Sequence, residues 1–84
     1  MSKCKLKLND GTQIEIEFEI GVIDCGANVG EITNIFQQAG AIVLAFEPNK
    51  YAFEILKKRF HNNLRVKCFQ KGVIGYKQGK RKLF

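Results

Sequence analysis

The chain has 84 residues, 45% hydrophobic and 26% charged, with one proline and a formal net charge of +6. This balance belongs to a folded globular domain and excludes disordered and fibrous classes, and at this length the chain can hold one domain with a marginal core. No apolar run approaches the ~20 residues of a membrane helix, and MSKCKLKL has no apolar segment after its lysines, so a cytoplasmic protein without membrane attachment is expected.

The opening residues alternate. Lys3, Lys5 and Lys7 interleave with Cys4, Leu6 and Leu8, and Glu15, Glu17 and Glu19 with Ile14, Ile16 and Phe18. A period of two means strands. The loop Asn9-Asp10-Gly11, with glycine supplying a positive φ, sets Leu6 opposite Ile14 and Lys5 opposite Glu15 in a β-hairpin over residues 1–19.

Residues 20–84 change pattern. The short apolar strand Ile20-Gly21-Val22-Ile23 runs into a glycine loop, and Glu31 to Ala39 then places Ile32, Ile35, Phe36 and Ala39 at helical spacing, with Gly40 positioned as the cap. The run Ala41 to Phe46 is continuously apolar, as in a strand covered on both faces. Beyond Pro48, Asn49 is expected to cap a second helix whose apolar face is Ala52, Ile55, Leu56 and Phe60, ending near Asn62. Leu64 to Phe69 alternates and suits an edge strand. The tail predicts a turn over Tyr76 to Gly79 and a basic strand from Lys80 to Phe84. This β-α-β-α-β order predicts parallel strands and half of a doubly wound, Rossmann-like α/β sheet preceded by the hairpin.

The glycine loop carries the chemistry. In Asp24-Cys25-Gly26-Ala27-Asn28-Val29-Gly30, Gly26 lets the chain turn off the strand, Asn28 tolerates left-handed geometry, and Gly30 lets the helix start close to the sheet. A dinucleotide fingerprint would need glycines where Asn28 and Glu31 stand, and Glu31 would repel a pyrophosphate. The loop instead suits an amino-acid moiety, with Asp24 accepting from its ammonium group. Glu47 falls 21 residues after Gly26, at the end of the next strand, where a carboxylate in such sheets grips a ribose. Pro48 offers a flat apolar surface beside an adenine.

At these residues the sequence resembles the FkbM family of S-adenosylmethionine-dependent methyltransferases. The matching strings are Val22 to Glu31, Ala45-Phe46-Glu47-Pro48-Asn49, and Phe53 to Lys58, with Gly72-Val73-Ile74-Gly75 and Gly79 similar to the family's strand-turn-strand. The resemblance covers residues 20–84. It implies a class I methyltransferase fold and O-methyl transfer to a small molecule or sugar. It also implies Asp24, Gly26, Ala27, Asn28 and Gly30 around the methionine part of S-adenosylmethionine, and Glu47 with Pro48 at its nucleoside. The remaining strands of that fold are not in the chain, so the reading is of a truncated, partial domain that binds cofactor without turnover, and no catalytic residue is named. The strand at 20–23 is then expected to expose one edge, inviting self-association unless the hairpin or the tail at 80–84 covers it.

Three further features complete the reading. Cys4, Cys25 and Cys68 have neither disulfide nor zinc spacing and read as buried thiols, with no metal site. His61, at a helix end, reads as a solvated cap. Charge is lopsided, because all eight acidic residues lie within the first 54 positions and ten of the basic ones beyond them. A nucleic-acid partner is not the first expectation, since no aromatic platform accompanies the lysines; a non-enzymatic basic module for an anionic or nucleic-acid partner is the competing function.

Overall fold

The computed structural model describes residues 2–18 and 21–78, with side chains described over 5–15 and 21–75. The elements are β1 (Ser2–Leu8), β2 (Gln13–Phe18), β3 (Gly21–Cys25), α1 (Glu31–Gln38), β4 (Ile42–Phe46), α2 (Lys50–Phe60), β5 (Val66–Phe69) and β6 (Val73–Gln78). The protein is a small α/β structure with a parallel sheet in the order β3-β4-β5 and an antiparallel sheet in the order β2-β1-β6. No described helix is long and apolar enough to cross a membrane.

The hairpin forms in the expected register. Leu6 stands opposite Ile14 and Lys5 opposite Glu15, with the Lys5 Nζ 3.6 Å from Glu15 Oε2. Leu8 N–H donates to Thr12 O at 2.9 Å, which leaves Asn9, Asp10 and Gly11 as the loop, and Gly11 has φ +89°. The tail departs from expectation. Tyr76 to Gln78 continue a strand that pairs with β1, where a turn was predicted. The signal for that pairing is a partner strand some 70 residues earlier in the chain, which local turn propensity cannot reveal. Gly79 and the predicted strand at 80–84 lie outside the described residues. The tail strand is also tied at its start, by Asn9 N–H donating to Gly72 O at 2.8 Å and by the Lys71 ammonium on Asp10.

Alternation along the parallel strands creates two cores. Val22, Val43, Ala45 and Val66 face α2, joining Phe53, Leu56 and Phe60. On the other face, Ile23, Leu44 and Phe46 meet Leu6 and Leu8 of β1 with Ile14 and Val73 beside them. Phe46 stacks on Phe69, ring centroids 4.7 Å apart. The parallel sheet is therefore sandwiched between helices and the antiparallel sheet, which is why β4 is apolar without interruption from Val43 to Phe46. β5 begins at Val66, later than expected, and Leu64 is 99% exposed. Among the described residues β3 pairs with β4 only, and the hairpin lies across a face of the sheet, not along that edge.

Both helices are rotated from the expected faces. On α2, Phe53 is buried and Ile55 is 54% exposed. At about 100° per residue, Phe53, Leu56 and Phe60 span a narrow arc, whereas Ile55 points well away from it. On α1, Ile32 and Ile35 are exposed, Phe36 is half-buried, Ala39 is exposed, and Thr33 is fully buried. Gly40 ends α1 as expected, with φ +95° and a pair of bonds, Gly40 N–H to Gln37 O and Ala41 N–H to Phe36 O, that make a Schellman motif. Asn49 caps α2 by accepting from Ala52 N–H at 3.0 Å.

Candidate functional site

The strands β3 and β4 end side by side, so the glycine loop and Glu47 are neighbours. Asp24 is the last buried residue of β3, on the face toward the helices. A buried carboxylate needs donors, and Thr33 of α1 supplies one, its hydroxyl donating to Asp24 Oδ2 at 2.6 Å. This bond explains the rotation of α1, because turning the Ile32 and Ile35 stripe inward would withdraw Thr33 and strand the carboxylate. Sequence reading missed Thr33. The available signal was a lone hydroxyl in the first turn of a helix that follows a buried acid.

The loop backbone takes the geometry its residues allow. Gly26 has φ +76° and Asn28 φ +54°, both left-handed. Gly26 and Ala27 N–H both donate to Phe46 O, at 2.8 and 3.0 Å, and Asn28 N–H donates to Glu47 Oε1 at 2.7 Å. Three consecutive loop amides are thus turned inward onto β4. Spacing alone does not disclose this inward turn.

Glu47 is 8% exposed, and its two oxygens have separate partners: Oε1 accepts from Asn28 N–H, and Oε2 from Asn49 N–H at 2.9 Å. The side chain therefore clamps the glycine loop to the entry of α2. Gly30 is buried, with φ +95°, and a Cβ built there would lie 2.7 Å from Phe60 and 2.9 Å from Leu56. The close approach requiring this glycine is to α2, not to the sheet as the sequence suggested. Gly30 offers α1 no side-chain cap, so the amides of its first turn are left for another acceptor. Pro48 is exposed beside Glu47.

A cavity of about 300 Å³ opens at the strand end, lined by Asp24, Gly26, Ala27, Asn28, Val29, Glu31 and Ile32. Asp24, Gly26, Ala27 and Asn28 are thus brought together as the sequence predicted. Glu47, Pro48 and Gly30 are not among its lining residues, and Gly30 packs instead against Phe60 and Leu56. Asp24 and Glu31 are its charged groups, and no cation lines it. It therefore disfavours phosphate and favours a cationic ligand.

Cys25 and Cys68 are half-buried, less enclosed than expected, and burial pushes the Cys68 thiol above its ordinary value; the side chain of Cys4 lies outside the described ones. His61 occupies the C-cap of α2 with Nδ1 3.3 Å from Lys58 O, as expected of a solvated cap. No family model matches the chain, and no curated protein or solved structure matches it significantly.

Proposed function

We propose that the glycine loop binds S-adenosylmethionine, in the manner of an FkbM-type methyltransferase with a Rossmann-like sheet. The observation that carries this reading is the acidic, phosphate-averse cavity at the C-terminal end of β3, the end at which parallel sheets bind ligands. The cofactor's ammonium group meets Asp24, and its carboxylate faces the uncapped first turn of α1. Its sulfonium charge sits in the field of Asp24 and Glu31. The cavity is at the low end of the ~300–1,000 Å³ of ligand pockets, so it takes the amino-acid part, and the nucleoside extends across the rim toward Glu47 and Pro48. A carboxylate has about four acceptor positions, and two of those on Glu47 are occupied. In this reading the remaining two accept from ribose hydroxyls. The reaction class is O-methyl transfer to a small molecule or sugar, and no side chain is assigned here as its base.

Isothermal calorimetry at millimolar S-adenosylmethionine, S-adenosylhomocysteine and NAD tests the reading. Heat with the first two and none with NAD is expected; silence with both sulfur compounds contradicts it. Glu47→Gln should lower the affinity by tenfold or more, because charge-assisted bonds contribute roughly 1.5–3 kcal/mol each. An unchanged affinity removes Glu47 from the ribose.

A further inference from the structure

The far end of α2 is built differently. Residues 57–67 contain Lys57, Lys58, Arg59, Arg65 and Lys67 and no carboxylate, and all five cations are exposed. Among the described residues none of them pairs with an acid, and Glu54, one turn before Lys58, makes no ion pair. Lys58, Arg59, His61, Asn62, Asn63 and Arg65 line an open concavity of about 670 Å³, more than twice the volume at the glycine loop.

Two of these cations are held in place. Arg59 Nη1 donates to Val29 O at 3.3 Å and its guanidinium lies 5.7 Å from the Phe60 ring, while Arg65 Nη2 donates to Gln37 Oε1 at 3.3 Å. Each contact uses one of about five guanidinium N–H groups, so both heads are oriented and most of their donors remain open. The C-terminal end of a helix opposes anions with a partial charge of about −0.5, a tenth of the opposing charge of the five cations. The net field favours an anion. A membrane surface would call for a broad apolar stripe, and here the exposed apolar side chain is Leu64 alone. Apart from the His61 imidazole, the lining has no aromatic ring on which a base could stack.

We propose that this basic concavity at the end of α2 binds the phosphate backbone of a nucleic-acid strand without reading its sequence. The guanidinium and ammonium groups contact phosphates, and the bases face away. The inference does not require a ligand at the glycine loop, although Arg59 reaches that loop through Val29.

Fluorescence anisotropy of the whole protein with two unrelated labelled RNA strands of about 20 nucleotides tests it. Contact with three to four phosphates predicts a slope of log K against log salt of about −2 to −3, and so roughly a 15–60-fold loss between 50 and 200 mM salt. Both strands should bind within threefold of one another. Lys58→Glu with Arg65→Glu should weaken binding at least tenfold; Lys7→Glu with Lys50→Glu, the same charge change on other surfaces, should cost less than threefold. Circular dichroism checks that each variant is folded, and Lys58→Gln with Arg65→Gln carries the comparison if charge reversal unfolds the chain. Equal losses in the two double variants would overturn the proposal. So would a strong preference for one strand, no binding at 50 mM salt, or capture by phosphatidylserine vesicles without capture of RNA.

Discussion

The two ends of α2 solve the problem of charge in opposite ways. At its start, Glu47 is buried and each of its oxygens accepts from an amide, of Asn28 and of Asn49, while in β3 the buried Asp24 accepts from Thr33. At its end, five cations stand in solvent with no acidic partner among the described residues. The contrast teaches that a buried carboxylate here ties neighbouring segments together, whereas exposed cations contribute little to the fold. Substitutions near the first end should therefore cost stability, and substitutions at the second should not.

The largest effect is expected where α2 meets the sheet. Phe53→Ala should cost about 3–5 kcal/mol by urea unfolding, whereas Ile55→Ala, two residues on, should stay within about 0.5 kcal/mol. Equal costs would mean that the apolar periodicity read from sequence had the right face after all. Next comes Gly30→Ala. The left-handed backbone costs about 1–2 kcal/mol and the clash with Phe60 and Leu56 about 1–3 more, against the backbone cost alone for Gly26→Ala, whose Cβ meets nothing within 4 Å.

Thr33→Val sharpens the comparison most. It keeps the shape of the side chain and removes the donor from a buried carboxylate, so a loss of about 1.5–3 kcal/mol is expected. Lys58→Glu with Arg65→Glu should instead leave the melting temperature within a few degrees. A collapse of the fold in that variant would show that the basic end is structural.

The smallest effect belongs to Asp10. Hydrogen bonds from the Lys71 ammonium and then from the Thr12 hydroxyl and amide hold its carboxyl well below the usual carboxylate range. A depressed native pKa means the unfolded chain takes up the proton first, so this contribution is complete above the ordinary value near 4 and fades as pH falls below it. Asp10 is exposed, so the contribution is slight. Asp10→Asn should flatten the acid limb of the stability profile between about pH 4 and 2, and an unchanged limb would remove the Lys71 tie.

Much of this was legible in the residues themselves. The hairpin register followed from alternation and from the Asn9-Asp10-Gly11 turn, both local signals, and the parallel order followed from short connections. The rotation of α1 was not legible, because Ile32, Ile35 and Phe36 offer a plausible apolar face and only the Asp24–Thr33 bond decides against it. The pairing of β6 with β1 was hidden by distance along the chain. At the site, the positions of Asp24, Gly26, Ala27 and Asn28 could be foreseen, but not the inward turn of the loop amides or the clamp made by Glu47.

The central claim is that the acidic cavity beside Asp24 receives the aminoacyl end of S-adenosylmethionine. Amide-resolved NMR titration with S-adenosylmethionine tests it most directly. The account predicts saturable shifts at Gly26, Asn28, Glu31 and Asn49, with Lys58 and Arg65 unmoved. Shifts confined to residues 57–67, or none at any cofactor concentration up to several millimolar, would contradict it.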